Sequence, residues 1–363
     1  MSQVPDSSGE RFLAGFLRGF LRTAFRPFIG PPLGAPAQRG IVSALALAMP
    51  GCGGTRQYTQ VAGGVPATVV TPKAGDAGGV ILYLHGGAFC LGSPRTHRSI
   101  TTRLALAAGM PVLVPDYRLA PEHPYPAALD DAEACYRSLR DSGYRPGQIV
   151  LAGDSAGGSL ALALALRLKA VGERPAALLL ISPVTDGGLS GDTITTMAGR
   201  DPMIRQGWLA QGLRWYGVPA GDLAHEPLRQ DLSGLPPMCI QAGELELLRA
   251  DSTRLADHAR ACGVDCTLTV YPGRWHVFHL QAVFLASARQ ALLDFGRGYI
   301  ARYLRHAGVG KPGDDRVDII AEVFMRILNS LLLTPGGVLA PDDDDVLRAN
   351  ARRFILPLFR TPA

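Results

Sequence analysis

The chain has 363 residues, of which 47% are hydrophobic and 18% charged, and its formal net charge is +5. That composition excludes a disordered polymer and leaves ample chain to bury a large core. The basic excess is scattered, so no nucleic-acid partner is expected, and six cysteines without a C-x-x-C pair argue against a disulfide scaffold or a zinc site.

The first predicted element is a helix over RFLAGFLRGFLRTAFRPF, residues 11–28. Phe12, Leu13, Phe16, Leu17, Phe20, Leu21, Ala24 and Phe25 recur at helical spacing, with Arg18, Arg22 and Arg26 read as the opposite, basic face. Arg18 breaks the apolar core that a signal peptide needs, and the segment falls short of a membrane span. Two readings stay open: a helix packed on the body, or one lying on an anionic membrane surface. Gly and Pro around 30–36 set this helix apart from the rest of the chain.

From Val80 onward strands and helices alternate. Strands are predicted at 80–85, 112–117, 148–153, 177–182, 238–243 and 266–272, and helices at 128–143, 159–172, 249–263 and 280–304. The stretch 186–236, rich in Gly, Trp and Pro, breaks the rhythm and reads as an insertion. The pattern predicts an α/β protein with a mostly parallel sheet and helices on both faces. Residues 305–363 form an extension with polar breaks at KPGDD and PDDDD and a helical pattern at 319–333 that carries no chemistry.

Residues 153–157 read GDSAG, a G-x-S-x-G match between a predicted strand and a predicted helix. That context is what a nucleophile elbow requires: a sharp turn that exposes the Ser155 hydroxyl at a strand end, with glycines where side chains would strike backbone. The blander reading, a serine capping the helix, does not explain the flanking glycines. HGGA at 85–88 follows the first strand of the alternating region, where glycine lets backbone N–H groups reach a substrate oxygen. The expected donors for the oxyanion are Gly86, Gly87 and Ala156.

A serine nucleophile needs a base. His85 belongs to the HGGA loop, and His97, His123, His225, His258 and His306 read as structural or solvated. His276 and His279 follow the last predicted strand, where the base falls in the chain order nucleophile, acid, base. The acid should follow the strand at 238–243, where GELELLRADS offers Glu244, Glu246 and Asp251.

LHGGAFCLGS, DYRLAPEHPYPAALDD, GDSAGG, SPVTD, LSGLPP and the late HVF together resemble the hormone-sensitive-lipase family of bacterial esterases, over roughly 64–305. The resemblance implies an α/β-hydrolase fold with a helical cap. Residues 1–50 and about 187–225 would form that cap over a catalytic domain spanning 51–304, and a cap role for the basic helix then outweighs a membrane role. It points to His276 as base, with His279 as fallback. Register against Leu248 places the acid at Glu246, where most relatives carry Asp, and demotes Asp251 to a helix-start residue. Cys90 stands where relatives carry an aliphatic residue.

The implied activity is carboxylic-ester hydrolysis through an acyl-enzyme on small to medium acyl groups, with no cofactor. Lactone hydrolysis, amide deacylation and acyl transfer use the same triad, and a small-molecule receptor on the hydrolase scaffold is the non-enzyme alternative. The expected partners are a small-molecule ester, a peripheral membrane surface touched by the N-terminal helix, and a second copy in a homodimer. The sparse thiols fit a cytoplasmic protein.

Overall fold

The computed structural model describes residues 7–73 and 78–306, with side chains described as far as residue 296. The predicted extension beyond 306, including its helical pattern at 319–333, lies outside the described residues.

Eight strands form one sheet: β1 (Thr55–Ala62), β2 (Val65–Pro72), β3 (Val80–Leu84), β4 (Val112–Pro115), β5 (Ile149–Asp154), β6 (Ala177–Ile181), β7 (Met238–Gly243) and β8 (Cys266–Tyr271). Their spatial order is β1-β2-β4-β3-β5-β6-β7-β8. The β1–β2 and β2–β4 pairs are antiparallel and the rest parallel. β3, β5 and β6 are buried along their whole length, as strands covered on both faces must be, and this is why they read as unbroken apolar runs. The β1–β2 hairpin was absent from the predicted elements. Its first strand is polar and mostly exposed, so it shows no apolar period, and the signal it does carry is Gly63-Gly64 between two β-prone runs.

Helices α3 (Arg98–Ala108), α4 (Ala127–Asp141), α5 (Ala156–Ala170), α8 (Arg249–Ala261) and α9 (Ala286–His306) flank the sheet. The helix predicted at 280–304 is divided: a tight turn covers Phe278–Val283 and α9 begins only at Ala286. Glu10 explains part of that start. Its carboxylate, itself buried, accepts the Ala286 and Ser287 N–H groups at 3.1 and 3.0 Å and so caps the new helix.

The remaining helices come from the N-terminal segment and from the insertion between β6 and β7. α1 (Ser8–Phe20) runs through a wide turn at Leu21–Phe25 into a tight one at Arg26–Phe28, and α2 (Ala35–Leu45) comes next. The insertion between β6 and β7 contributes α6 (Thr193–Thr196) and α7 (Gln206–Tyr216). The two parts interlock through backbone carbonyls. Arg22 donates to Gly199 O at 2.9 Å, Arg26 to Ala198 O at 2.7 Å, and Arg205 to Ile29 O at 2.7 Å.

The expectation of one apolar and one basic face on α1 is corrected here. Leu17, Leu21 and Phe25 are the buried row, each such side chain contributing about 1.5–3 kcal/mol. Phe12, Phe16 and Phe20 lie about 100° to one side of it and are 79%, 64% and 42% exposed. Arg22 and Arg26, in the two turns that follow α1, reach across to the insertion, so these two arginines bind protein and the phenylalanines face out. Among the described residues no helix is long and apolar enough to cross a membrane.

Candidate active site

Ser155 sits between β5 and α5 with φ +53° and ψ −120°, a sharp reversal that a serine adopts only under constraint. The constraint is close backbone packing. A Cβ on Gly157 would strike the carbonyls of Leu84 and His85, and one on Gly153 would strike Gly157 itself. The elbow is then tied to β6: Ser155 N–H donates to Ile181 O at 2.8 Å, and Ser155 O accepts from Val184 N–H at 3.2 Å.

His276 lies on the loop after β8. Its Nε2 is 3.0 Å from Ser155 Oγ and its Nδ1 is 3.2 Å from Glu246 Oε2. Ser155, His276 and Glu246 are all buried. Burial works against a charged imidazole, but the Glu246 bond and charge, with Asp201 and Asp154 beyond, hold His276 above its ordinary value. His279 is not at Ser155. Its Nε2 meets Gln241 Oε1 at 2.8 Å, and burial pushes it down to about 3.

Of the three expected oxyanion donors, Gly86 is already engaged. Its N–H donates to Asp154 Oδ1 at 3.0 Å, because the loop folds back over the elbow. Gly87 and Ala156 have N–H groups without partners among the described residues, and so does Ala88, one place beyond the expected pair. Ala156 is the first residue of α5, where no in-helix acceptor exists. The loop turns through left-handed φ at Gly87, Ala88 and Phe89.

Asp154, the second residue of GDSAG, was not singled out in the sequence. Its carboxylate also accepts from Tyr83 OH at 2.6 Å and lies 3.3 Å from His97 Nε2. Burial alone would raise it, but His97, Tyr83 and His85 together lower it. His85 stacks on Tyr117 at 4.2 Å and is pushed by burial to about 3, so it serves the loop as a neutral ring. His225 is likewise structural and not solvated. It sits between Ser159 Oγ at 2.8 Å and Tyr216 OH at 3.1 Å, pushed by burial to about 4.

The three acids of GELELLRADS separate cleanly. Glu244 reaches across to the β8 turn, accepting Gly273 N–H at 2.8 Å. Glu246 turns inward to His276. Asp251 stands in the first turn of α8, as a helix-start residue should, but it is also fully buried: it accepts Thr185 N–H at 2.8 Å and is pushed by burial to about 6.

Two further residues came from the insertion, where no motif marked them. Asp201 Oδ2 accepts Leu247 N–H at 3.0 Å, and Thr193 Oγ1 donates to Leu247 O at 2.6 Å. The insertion also rests on the oxyanion loop, with Tyr216 stacked on Phe89 at 4.0 Å. Gly212 allows this approach, since a Cβ there would strike Ala88.

A family model described as alpha/beta hydrolase fold matches residues 81–280. An esterase of Acinetobacter venetianus is 40% identical over 219 residues, 59% of this chain and 72% of its own. The carboxylesterase/phospholipase LipF of Mycobacterium tuberculosis is 39% identical over 260 residues, 68% of this chain and 69% of its own. The crystal structure of an esterase from the bacterial hormone-sensitive lipase family superposes with a TM-score of 0.74 at 35% identity, covering 82% of this chain and 98% of that one.

Proposed function

This chain belongs to the alpha/beta-hydrolase family, in its hormone-sensitive-lipase branch, and is a serine carboxylester hydrolase; we propose that it cleaves small to medium acyl esters through Ser155, His276 and Glu246. The observation that carries this reading is the continuous bonded path from Ser155 Oγ through His276 to Glu246, at 3.0 and 3.2 Å.

In the resting form His276 Nδ1–H donates to Glu246, which leaves Nε2 to accept from the Ser155 hydroxyl. Ser155 Oγ attacks the acyl carbonyl as its proton passes to Nε2. The developing oxyanion is met by the N–H groups of Gly87, Ala88 and Ala156, each such donor worth about 2.7–4 kcal/mol in a transition state. Collapse breaks the ester C–O bond, and the alcohol leaves with the proton from His276. Water then attacks the acyl-enzyme, giving its proton to Nε2, and the acid product departs with Ser155 restored.

Residues 1–50 and about 187–225 act in this reading as the cap over a catalytic domain of 51–304. The carbonyl-bound arginines between the two cap parts support that division. A cytoplasmic location belongs to the same reading, and its support is the sparse cysteine content, six in 363 residues with no C-x-x-C pair.

The test is covalent labelling of the pure protein by a fluorophosphonate, followed by peptide mapping. One label on Ser155, absent from Ser155→Ala and slowed in His276→Ala, is the expected result. A label elsewhere, or undiminished hydrolysis of p-nitrophenyl butyrate by Ser155→Ala, sinks the proposal. A panel of esters, lactones and anilides of graded acyl length then separates the esterase from its lactone- and amide-cleaving alternatives.

A further inference from the structure

We propose that the cap insertion is a working part of the triad: Asp201 and Thr193 clamp the peptide groups of Leu247 and thereby position the neighbouring Glu246 for His276. This rests on the reading of Glu246 as the triad acid.

Glu246 has little of its own to hold it. It lies on a turn between β7 and α8, Oε2 meets His276, and Oε1 is buried with no hydrogen-bond partner. A carboxylate held at one oxygen depends on its backbone for its aim. That backbone is gripped on both sides of the next residue. Leu247 N–H donates to Asp201 Oδ2 at 3.0 Å, and Leu247 O accepts from Thr193 Oγ1 at 2.6 Å. Thr193 Oγ1 in turn accepts Ala250 N–H at 3.0 Å, so one hydroxyl ties the acid turn to the first turn of α8.

Asp201 is preorganised for the task. It is fully buried, and its other oxygen accepts the N–H groups of Met203 and Ile204 at 2.8 and 3.0 Å, which fixes the carboxylate against rotation. A charged or polar group with no solvent and three backbone donors is a costly thing to keep in a loop whose only task is to cover a pocket. The clamp explains it.

Asp201 also lies within electrostatic reach of His276. The groups facing His276 are Glu246 from the acid turn, Asp201 from the insertion, Asp154 from β5 and His279 on its own loop. Those facing Asp201 include His276 and Arg26 of the N-terminal segment. Asp201 is pushed by burial to about 6, with the charge of His276 and the three N–H groups pulling the other way. Its negative charge therefore favours the imidazolium that forms when Ser155 attacks, as Glu246 does more strongly.

The test compares Asp201→Asn, Thr193→Val and Thr193→Ser with Glu246→Gln, alone and combined, on p-nitrophenyl butyrate. Asp201→Asn and Thr193→Val are expected to lower kcat on the order of 10–100-fold, the scale of a small misplacement of a catalytic group, with KM within about twofold. Thr193→Ser, which keeps the hydroxyl, restores most of the rate. In Asp201→Asn the acid limb of the kcat/KM profile moves to lower pH, because one carboxylate fewer supports protonated His276.

Adding Asp201→Asn to Glu246→Gln should cost far less than the product of the two single losses, since the positioning part of its role vanishes with the group it positions and only the smaller direct effect of its charge on His276 remains. Should Asp201→Asn not fold, the Thr193 pair carries the comparison. Unchanged kcat in both clamp variants, an effect confined to KM, or full multiplication of the losses in the double variant overturns the clamp. Parental activity in Glu246→Gln instead overturns the triad acid itself, so the two failures are distinguishable.

Discussion

The nucleophile elbow and the acid turn are held in opposite ways. Ser155 is fixed from nearby: Gly153 and Gly157 leave room only for backbone, and β3 and β6 press against the turn from the two neighbouring strand positions. Glu246 is fixed from afar, by Thr193 and Asp201 in an insertion that contributes no strand to the sheet. Steric confinement of the first kind tolerates no added atom, whereas hydrogen-bond tethering of the second kind can be loosened one bond at a time. The difference teaches where an esterase of this build is rigid by packing and where it is rigid by polar contacts that a cap can adjust.

The largest effect should come from the elbow. Ser155→Ala is expected to lower kcat by roughly 10⁶-fold, the scale seen when a triad nucleophile is removed, with the melting temperature nearly unchanged. A melting scan beside initial rates checks both halves. If the protein unfolds instead, confinement of the elbow depends on the side chain as well as on the glycines.

Next in size is Glu246→Gln, expected to cost about 10⁴-fold in kcat, as an acid-to-amide change does in a serine triad. It carries a pH signature. Catalysis needs neutral His276, and Glu246 holds that imidazole above its ordinary value of 6.5, so the acid limb of the kcat/KM profile lies above that value in the parent. Removing the charge should shift the limb down, measured by rates between pH 5 and 9. A limb that stays in place would separate Glu246 from His276.

Gly157→Ala sharpens the steric side of the comparison. The added methyl meets the carbonyls of Leu84 and His85, which cannot move without disturbing β3 and the oxyanion loop. A loss of about 100-fold in kcat with a clearly lower melting temperature is expected. A variant with parental rate and stability would show that the elbow relaxes.

Asp251→Asn should act on stability more than on rate. Thr185 N–H keeps an acceptor, but a buried, already imperfectly partnered group is exchanged for an amide, so a cost of about 1–3 kcal/mol in chemical denaturation is expected with kcat within about tenfold. A rate loss equal to that of Glu246→Gln would move the acid to Asp251. Glu244→Gln should be smallest, below about twofold in rate, since its carboxylate accepts Gly273 N–H at the exposed turn after β8, which an amide oxygen can also do.

Much of this site was legible in the chain. GDSAG between an apolar strand and a helix locates Ser155 because a strained turn needs its glycines at set places. Strand order narrows the base to His276 and His279, and the family resemblance points to His276 and, by register of its pattern against Leu248, to Glu246. The site also held features the motifs could not show. Gly86 appeared equivalent to Gly87, but only the fold reveals that Asp154 takes its N–H, while those of Gly87 and Ala88 have no partner among the described residues. The rows of α1 likewise share a period, and only docking decides that Leu17 faces in and Phe16 out.

By itself the sequence determined the parallel strands and the strand–turn–helix around GDSAG, and it singled out Ser155, His276 and Glu246 as candidates, because these rest on local periodicity, chain order and short motifs. The tertiary structure alone decided that Asp201 and Thr193 belong beside Glu246. They lie 45 and 53 positions from it in the chain, in a segment without periodic signal. Their hydrogen bonds to the peptide of Leu247 exist only once the insertion has closed over the sheet, because backbone groups carry no residue pattern that a distant side chain could announce.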